Sequence, residues 1–175
     1  MNNILLVPGL YDSGPQHWQT LWHQQHPDWL RIQQADWTTP DLHRWAAPVL
    51  AALQDSQEPL TIVAHSFGCL ASLYAATQLP EKINSLFLVA PADPELLGVQ
   101  EGLIYHPTSV PGRIIASSND PWMSLDRICL WSQRWSLPLS LLGPLRHINA
   151  ESGHGEWPEG LELLCWHCQQ LAKAA

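Results

Sequence analysis

Residues 61–76 read TIVAHSFGCLASLYAA, and this stretch decides the fold. An apolar run over 60–64 is typical of a buried strand, and the small residues that follow predict a helix over 67–78. The abrupt change from strand to helix leaves His65 and Ser66 at the turn. This polar pair is unusual at the end of a buried strand, so the turn is the first candidate for a functional site.

Short apolar runs alternate with helical patterns along the rest of the chain. Strands are predicted at about 3–7, 30–33, 60–64, 85–89, 113–116 and 139–142, and helices at about 15–26, 41–53, 67–78, 125–135 and 161–173. Pro48 is expected to kink or shorten the second helix. Near-continuous apolar strands joined by helices predict a parallel sheet covered on both faces, within a single domain of residues 1–175.

The composition argues against some classes of partner. With 46% apolar and 14% charged residues, the 175-residue chain is expected to fold around a core. Its formal net charge of −8 disfavours nucleic acid and anionic membranes, because both bind basic surfaces. No stretch approaches the ~20 apolar residues that span a bilayer.

The N-terminus and the cysteines indicate the compartment. MNNILLVPGLYDSG contains no Lys or Arg and has a short apolar run, so we expect no signal peptide and a cytoplasmic location. The four cysteines are then expected to be free thiols. Cys165 and Cys168 form a CWHC motif, but no second pair completes a zinc site and no strand precedes the motif. We therefore expect no metal site.

Ser66 has the sequence context of a nucleophile. A serine hydroxyl attacks a carbonyl group only when a base takes its proton, and a sharp strand-to-helix turn exposes that hydroxyl beside a helix N-terminus. Small residues are needed two positions before and after the serine, where strand and helix come close. Ala64 and Gly68 occupy these positions, with Ala64 a mild departure from the G-x-S-x-G pattern. The alternative is that Ser66 only caps the helix.

Two aspartates follow predicted strands and are candidates for the acid of a triad. In α/β hydrolases the order along the chain is serine, acid, histidine. Asp120 follows the fifth strand in IIASSNDPW, and Asp93 follows the fourth in VAPADP. We prefer Asp120 because its strand ends closer to the carboxylate, and we keep Asp93 as the alternative. Asp120 could instead be a turn residue that binds local backbone.

Two histidines follow the sixth strand and are candidates for the base. The apolar run LPLSLLG ends near Gly143, so His147 lies about four residues beyond the strand and His154 about eleven. The SGHG context of His154 is typical of a flexible loop. We prefer His147 because it lies closer to the strand end, and keep His154 as the alternative. Either could also be an ordinary exposed loop histidine.

Acyl transfer also needs two backbone donors for the negative charge that develops on the carbonyl oxygen. The N–H of Phe67 follows the candidate nucleophile directly. The N–H of Leu10 could turn into the site because Gly9, just before it, tolerates unusual dihedral angles. We expect these two groups to form the oxyanion hole.

Four stretches resemble the small serine hydrolases related to retinoblastoma-binding protein 9 and the bacterial YdeN-type proteins: VPGLYDSGPQHWQTLW, VAHSFGCLASL, SSNDPW and RHINAESGHGEWPEG. The resemblance covers nearly the whole chain. It implies a compact three-layer α/β hydrolase fold, with a mainly parallel six-stranded sheet in the order 2-1-3-4-5-6 and no substantial lid. It places the triad on Ser66, Asp120 and His147, although Arg146 stands where the family has glycine. The retinoblastoma-binding Leu-x-Cys-x-Glu motif is absent, so that partner is not expected.

These features predict a serine hydrolase that needs no metal or organic cofactor. We expect a carboxylesterase-like enzyme that cleaves small acyl esters through an acyl-enzyme, with amide or peptide bonds as a further class of substrate. Trp37, Trp122 and Trp157 follow strand ends at the catalytic edge, where they either line a substrate pocket or anchor loops on the protein body. The alternative function is a catalytically weak or inactive hydrolase fold that serves as a binding module. The oligomeric state stays open.

Overall fold

The computed structural model describes residues 3–99 and 102–174, and within them six strands form one parallel sheet. The strands are β1 (Ile4–Val7), β2 (Leu30–Arg31), β3 (Leu60–His65), β4 (Ile83–Val89), β5 (Gly112–Ser117) and β6 (Leu139–Leu142). Their spatial order is β2-β1-β3-β4-β5-β6, and every neighbouring pair is parallel. The predicted strand order is confirmed.

α-Helices connect all of these strands except β4 and β5, between which the described residues form only a short 3-10 helix, Gly102–Tyr105. The described residues contain α1 (Trp18–Gln25), α2 (Leu42–Asp55), α3 (Phe67–Gln78), α4 (Leu125–Trp135) and α5 (Pro158–Ala174). Pro48 does not shorten α2, because the helix continues to Asp55, and the predicted kink stays a prediction. Trp45 and Val49, on either side of the proline, are fully buried, and their packing offsets the ~3 kcal/mol that an interior proline costs.

Two apolar cores cover the two faces of the sheet. Successive strand residues alternate between them, because side chains of a strand point to opposite faces. In β1, for example, Leu5 packs in the core that α2, α3 and α4 cover, whereas Leu6 packs in the core that α1 and α5 cover. The result is a three-layer α/β/α domain in which both faces of the central strands are buried.

Residues that follow the carboxyl ends of the strands meet at one edge of the sheet. Because β3 lies between β1 and β4, the turn after β3 is central at this edge. The loops after β5 and β6 approach it from one side and the loop after β1 from the other. Open α/β sheets bind their ligands at this edge, which here carries the candidate residues. None of the described helices has the length and apolar character to span a bilayer.

Candidate active site

Ser66 occupies a sharp turn between β3 and α3. Its backbone has φ 52° and ψ −121°, a conformation that costs a non-glycine residue about 1–3 kcal/mol. Backbone bonds hold it there: the Ser66 N–H donates to Val89 O at 3.1 Å, and its carbonyl accepts from Cys69 N at 3.0 Å and Ala92 N at 3.2 Å. The side chain caps no helical N–H, so the alternative of a capping serine is not what the structure shows.

Two glycines allow the backbone to pass close to this turn. A Cβ at Gly68 would lie 2.3 Å from the carbonyl oxygen of Pro8 and 2.5 Å from that of Val7. A Cβ at Gly9 would lie 2.7 Å from the Cβ of Ser66. Each distance is far below van der Waals contact, so the approach of the β1 loop to the serine requires glycine at both positions.

The side chains of Ser66, His147 and Asp120 form a hydrogen-bonded series. Ser66 Oγ lies 3.0 Å from His147 Nε2, and His147 Nδ1 lies 2.9 Å from Asp120 Oδ2 and 3.1 Å from Oδ1. The carboxylate accepts, so Nδ1 carries the proton and Nε2 is left to accept from the serine hydroxyl. The N–H of Trp122 donates to Asp120 Oδ1 at 2.9 Å and fixes the carboxylate in the turn after β5.

The loop that carries His147 has an unusual backbone. The residues on both sides of the histidine have positive φ, 55° at Arg146 and 48° at Ile148. Other elements secure this conformation, starting with Asn119, whose Oδ1 accepts from the Arg146 N–H at 2.7 Å. Arg146 thus adopts a conformation that glycine would take without strain.

Two buried side chains hold the next two carbonyl groups of the loop. His65 Nε2 donates to the carbonyl of His147 at 2.9 Å, and Trp18 Nε1 donates to the carbonyl of Ile148 at 2.9 Å. Sequence reasoning did not find these contacts, because the partners are 82 and 130 residues apart. The only signal for His65 was its polarity at the end of a buried strand.

Neutral imidazole rings lie behind the His147 ring. The ring centroid of His65 is 4.8 Å from that of His147, and the ring centroid of His17 is 4.8 Å from that of His65. Burial, with a smaller effect of His147, lowers the pKa of His17 to about 3, and burial also holds the pKa of His65 well below its ordinary value. An imidazolium formed at His147 is therefore stabilised by the Asp120 carboxylate and is not repelled by the neutral rings of His65 and His17.

The structure keeps the alternative acid, Asp93, out of this series. Its carboxylate binds Arg127 through two hydrogen bonds of 2.6 and 2.8 Å and accepts from Trp131 Nε1 at 3.3 Å. Burial raises the pKa of Asp93, but the hydrogen bonds from Arg127 outweigh that effect, and the pKa lies below its ordinary value. Asp93 therefore anchors the start of α4 on the loop after β4.

The alternative base, His154, also binds elsewhere. Its Nδ1 is 3.1 Å from Ser152 Oγ, and its ring lies edge-on against Trp157 at 6.0 Å. Burial lowers its pKa. The structure thus brings His147, and not His154, to Ser66.

The two candidate oxyanion donors lie beside the serine. Phe67 begins α3 directly after Ser66, and Leu10 follows Gly9, which approaches the serine closely. Within the described residues, neither the Leu10 N–H nor the Phe67 N–H donates to another protein group. Both donors are therefore available to an oxygen bound next to Ser66 Oγ.

The three tryptophans proposed for a pocket have different environments. Trp157 is buried against Trp18 and Trp22, at ring distances of 5.4 and 5.8 Å, as a loop anchor is, and it borders a cavity beside α5 that Ser66 does not line. Trp37 is half-buried and packs edge-on against Trp45 at 5.7 Å, as a loop anchor does. Trp122 is exposed, and its ring centroid lies 6.5 Å from that of His147. Only Trp122 lies beside the triad.

Known proteins share the fold described above. The model of the serine hydrolase family matches residues 4–166. The chain belongs to this family. A solved YdeN-like hydrolase from Pectobacterium atrosepticum is 39% identical to this serine hydrolase, with a TM-score of 0.92 over 98% of this chain and 92% of that chain. The predicted relationship to YdeN-type hydrolases is confirmed.

More distant solved structures share the fold. The ydeN gene product of B. subtilis is 18% identical, with a TM-score of 0.79 over 97% of this chain and all of that chain (100%). Mouse alpha/beta hydrolase domain-containing protein 10 is 16% identical, with a TM-score of 0.70 over 98% of this chain and 90% of that chain. A comparison with curated proteins gave no match.

Proposed function

We propose that this serine hydrolase cleaves carboxylic esters through a Ser66–His147–Asp120 triad. The observation that carries the proposal is the hydrogen-bonded series of 3.0 and 2.9 Å that joins the serine hydroxyl to the imidazole and the imidazole to the carboxylate. The strained backbone of Ser66 supports the same role, since it presents the hydroxyl at the open edge of the sheet. Membership of the serine hydrolase family supports hydrolysis as the reaction.

The chemistry follows from the proton positions. His147 Nε2 takes the hydroxyl proton as Ser66 Oγ attacks the acyl carbon, and Asp120 stabilises the imidazolium. The N–H groups of Leu10 and Phe67 donate to the oxyanion, where loss of one such donor typically costs about 10²–10³ in rate. His147 then protonates the leaving alkoxide, and a water molecule activated by the same imidazole releases the acid and frees Ser66.

An apolar rim supports esters with an apolar acyl group as the substrate class. In the described residues, three large apolar side chains are more than half exposed: Tyr11 at 76%, Leu96 at 75% and Trp122 at 65%. All three follow strands at the catalytic edge, β1, β4 and β5, on either side of Ser66. We propose that this rim contacts the acyl group of a modest-sized ester, while the net charge of −8 disfavours anionic substrates.

A fluorophosphonate probe and a p-nitrophenyl ester test the proposed reaction. Wild type is expected to be labelled at Ser66 and to hydrolyse p-nitrophenyl acetate, and Ser66→Ala is expected to lose labelling and about 10⁶-fold in kcat. Equal labelling of folded wild type and Ser66→Ala, or no reaction of folded wild type with either reagent, would show that Ser66 is not the nucleophile.

An acyl series on the same proteins tests the substrate class. Each methylene of the acyl group that the protein buries contributes up to ~0.8 kcal/mol to binding of the transition state, which is about fourfold in kcat/KM. Trp122→Ala is therefore expected to reduce the preference for butyrate over acetate by about 3- to 10-fold, as measured by the ratio of kcat/KM values. Trp166→Ala, which removes an exposed tryptophan from α5, is the matched control and should leave the ratio unchanged. An unchanged ratio in Trp122→Ala would remove Trp122 from the acyl site.

A further inference from the structure

His65 lies between the two catalytic loops but takes no part in the reaction described above. It is the residue before Ser66 and ends β3, yet only 5% of it is exposed. Its side chain points into the core rather than to the open edge, and contacts the rings of His17, Trp18 and His147. A polar ring buried at this position has a cost unless it makes a specific contact.

That contact is the hydrogen bond to the backbone of the catalytic base. His65 Nε2 lies 2.9 Å from the carbonyl oxygen of His147. A carbonyl only accepts, so Nε2 carries the proton and the tautomer of His65 is fixed. Burial, followed by the charges of His17 and His147, keeps the pKa of His65 well below its ordinary value, so the ring stays neutral and cannot repel the imidazolium of the reaction.

The bonded carbonyl belongs to a loop that its own backbone secures weakly. His147 lies between two residues with positive φ, and the nearest turn bond, from the N–H of Ile148 to Leu145 O, is long at 3.3 Å. Loss of the bond from His65 would leave the peptide group on the carboxyl side of His147 with only this long bond. A shift of about 1 Å in a reacting group is enough to lower a rate by about 10²-fold.

We propose that His65 is a positioning residue, which fixes the distance from His147 Nε2 to Ser66 Oγ by donating to the His147 carbonyl. The proposal rests on the proposed function of the triad. One residue at the end of β3 thereby links the two sides of the site, because the backbone of His65 leads into the nucleophile and its side chain holds the base.

Two substitutions separate the hydrogen bond from the packing of the ring. His65→Gln keeps a donor, because the amide nitrogen of glutamine can take the place of Nε2, whereas His65→Leu fills similar space without a donor. The matched control is His167→Leu, since His167 is also buried, with 4% exposed, and its single bond of 3.2 Å joins Ser85 Oγ, far from the triad in the fold. Thermal unfolding shows whether each variant folds.

With p-nitrophenyl acetate, His65→Leu is expected to lose about 10- to 100-fold in kcat with KM changed by less than about twofold. His65→Gln should recover kcat to within about fivefold of wild type, and His167→Leu should keep it despite a comparable loss of thermal stability. Unchanged kcat in folded His65→Leu, or an equal fall in folded His65→Gln and His65→Leu, would overturn the proposal. If no His65 variant folds, inactivation of wild type by fluorophosphonate still reports the function of the triad independently.

A second readout does not depend on turnover. The proton between His147 Nδ1 and Asp120 should give a low-field NMR signal in wild type, His65→Gln and His167→Leu, and a weakened or exchange-broadened signal in His65→Leu. If wild type shows the signal but cleaves no ester, and His65→Leu loses the signal, the proposed function is contradicted and the positioning role of His65 is supported. A full signal in His65→Leu would contradict the positioning role whatever the activity. Where His65→Leu does not fold, the same comparison is made with His65→Asn, whose shorter amide cannot reach the carbonyl.

Discussion

Ser66 Oγ and His147 Nε2 lie 3.0 Å apart, but the protein holds the two residues in different ways. The serine is held by backbone: its turn lies between a strand and a helix, bonds the backbone of Val89 and Ala92, and has two glycines that let the loop after β1 pass. The histidine is held by side chains from remote parts of the chain, which bind the backbone on both sides of it. The surroundings of the proposed nucleophile (the nucleophile side) are therefore held by close backbone packing, whereas those of the proposed base (the base side) are held by a network of single hydrogen bonds.

This difference predicts how substitutions on each side should lower activity. Close backbone packing is disrupted when an added atom forces the backbone segments apart, and any residue larger than glycine adds such an atom. A network of single bonds fails one donor at a time, and conservative donors can rescue it. Substitutions at the two sides should therefore differ in size, in rescue and in their dependence on pH.

Among substitutions that leave Ser66 and His147 in place, one at the proposed acid should give the largest effect. Asp120→Asn leaves the geometry in place but favours the wrong tautomer of His147, and a loss of about 10⁴-fold in kcat is expected. Asp93→Asn, which disturbs the bond to Arg127, should keep kcat within about threefold and lower the free energy of unfolding by about 1–3 kcal/mol. Kinetics with p-nitrophenyl acetate and urea unfolding measure the two quantities. The reverse pattern would make Asp93 the acid.

A methyl group on the nucleophile side should give the next largest effect. In Gly68→Ala the new Cβ meets the carbonyl oxygens of Pro8 and Val7, so β1 and α3 must separate. We expect a loss of about 10²-fold in kcat and about 1–3 kcal/mol of stability. Gly102→Ala, whose Cβ would meet no atom within 4 Å, is the control. Full activity in Gly68→Ala would mean that the turn at Ser66 does not depend on this close packing.

The smallest effect is expected from lowering the pH, which should reduce the free energy of unfolding through His17, a buried histidine on the base side. Burial lowers the pKa of His17 to about 3, so between pH 7 and pH 5 the unfolded chain binds a proton there that the folded chain does not. Stability then falls as pH falls, and His17 accounts for about 2 kcal/mol of the loss at pH 5. His17→Asn keeps an acceptor that can cap α1 but cannot titrate, so its unfolding free energy should change less between pH 7 and pH 5. An equal change would show that His17 does not titrate on unfolding.

Sequence reasoning predicted the features that local patterns encode. The strands, the central turn and the aspartate after β5 follow from alternating apolar runs and from the position of each polar residue after a strand, whereas the strand order came from the resemblance to YdeN-type hydrolases. The role of His65 could not be predicted, because it depends on a contact with a loop 82 residues away. The environment of Trp157 stayed open because a tryptophan that follows a strand end can turn either outward to a site or inward to a core, and its neighbours in the chain do not distinguish the two.

The relative activity of His147→Ala and His154→Ala tests the central claim most directly. Both residues lie on the loop between β6 and α5, and both variants are compared with wild type by kcat/KM for p-nitrophenyl acetate at pH 7.5. The triad described here predicts a loss of about 10⁴-fold or more for His147→Ala and a change of less than about threefold for His154→Ala. A protein that keeps its activity without the His147 imidazole and loses it without that of His154 would contradict the account.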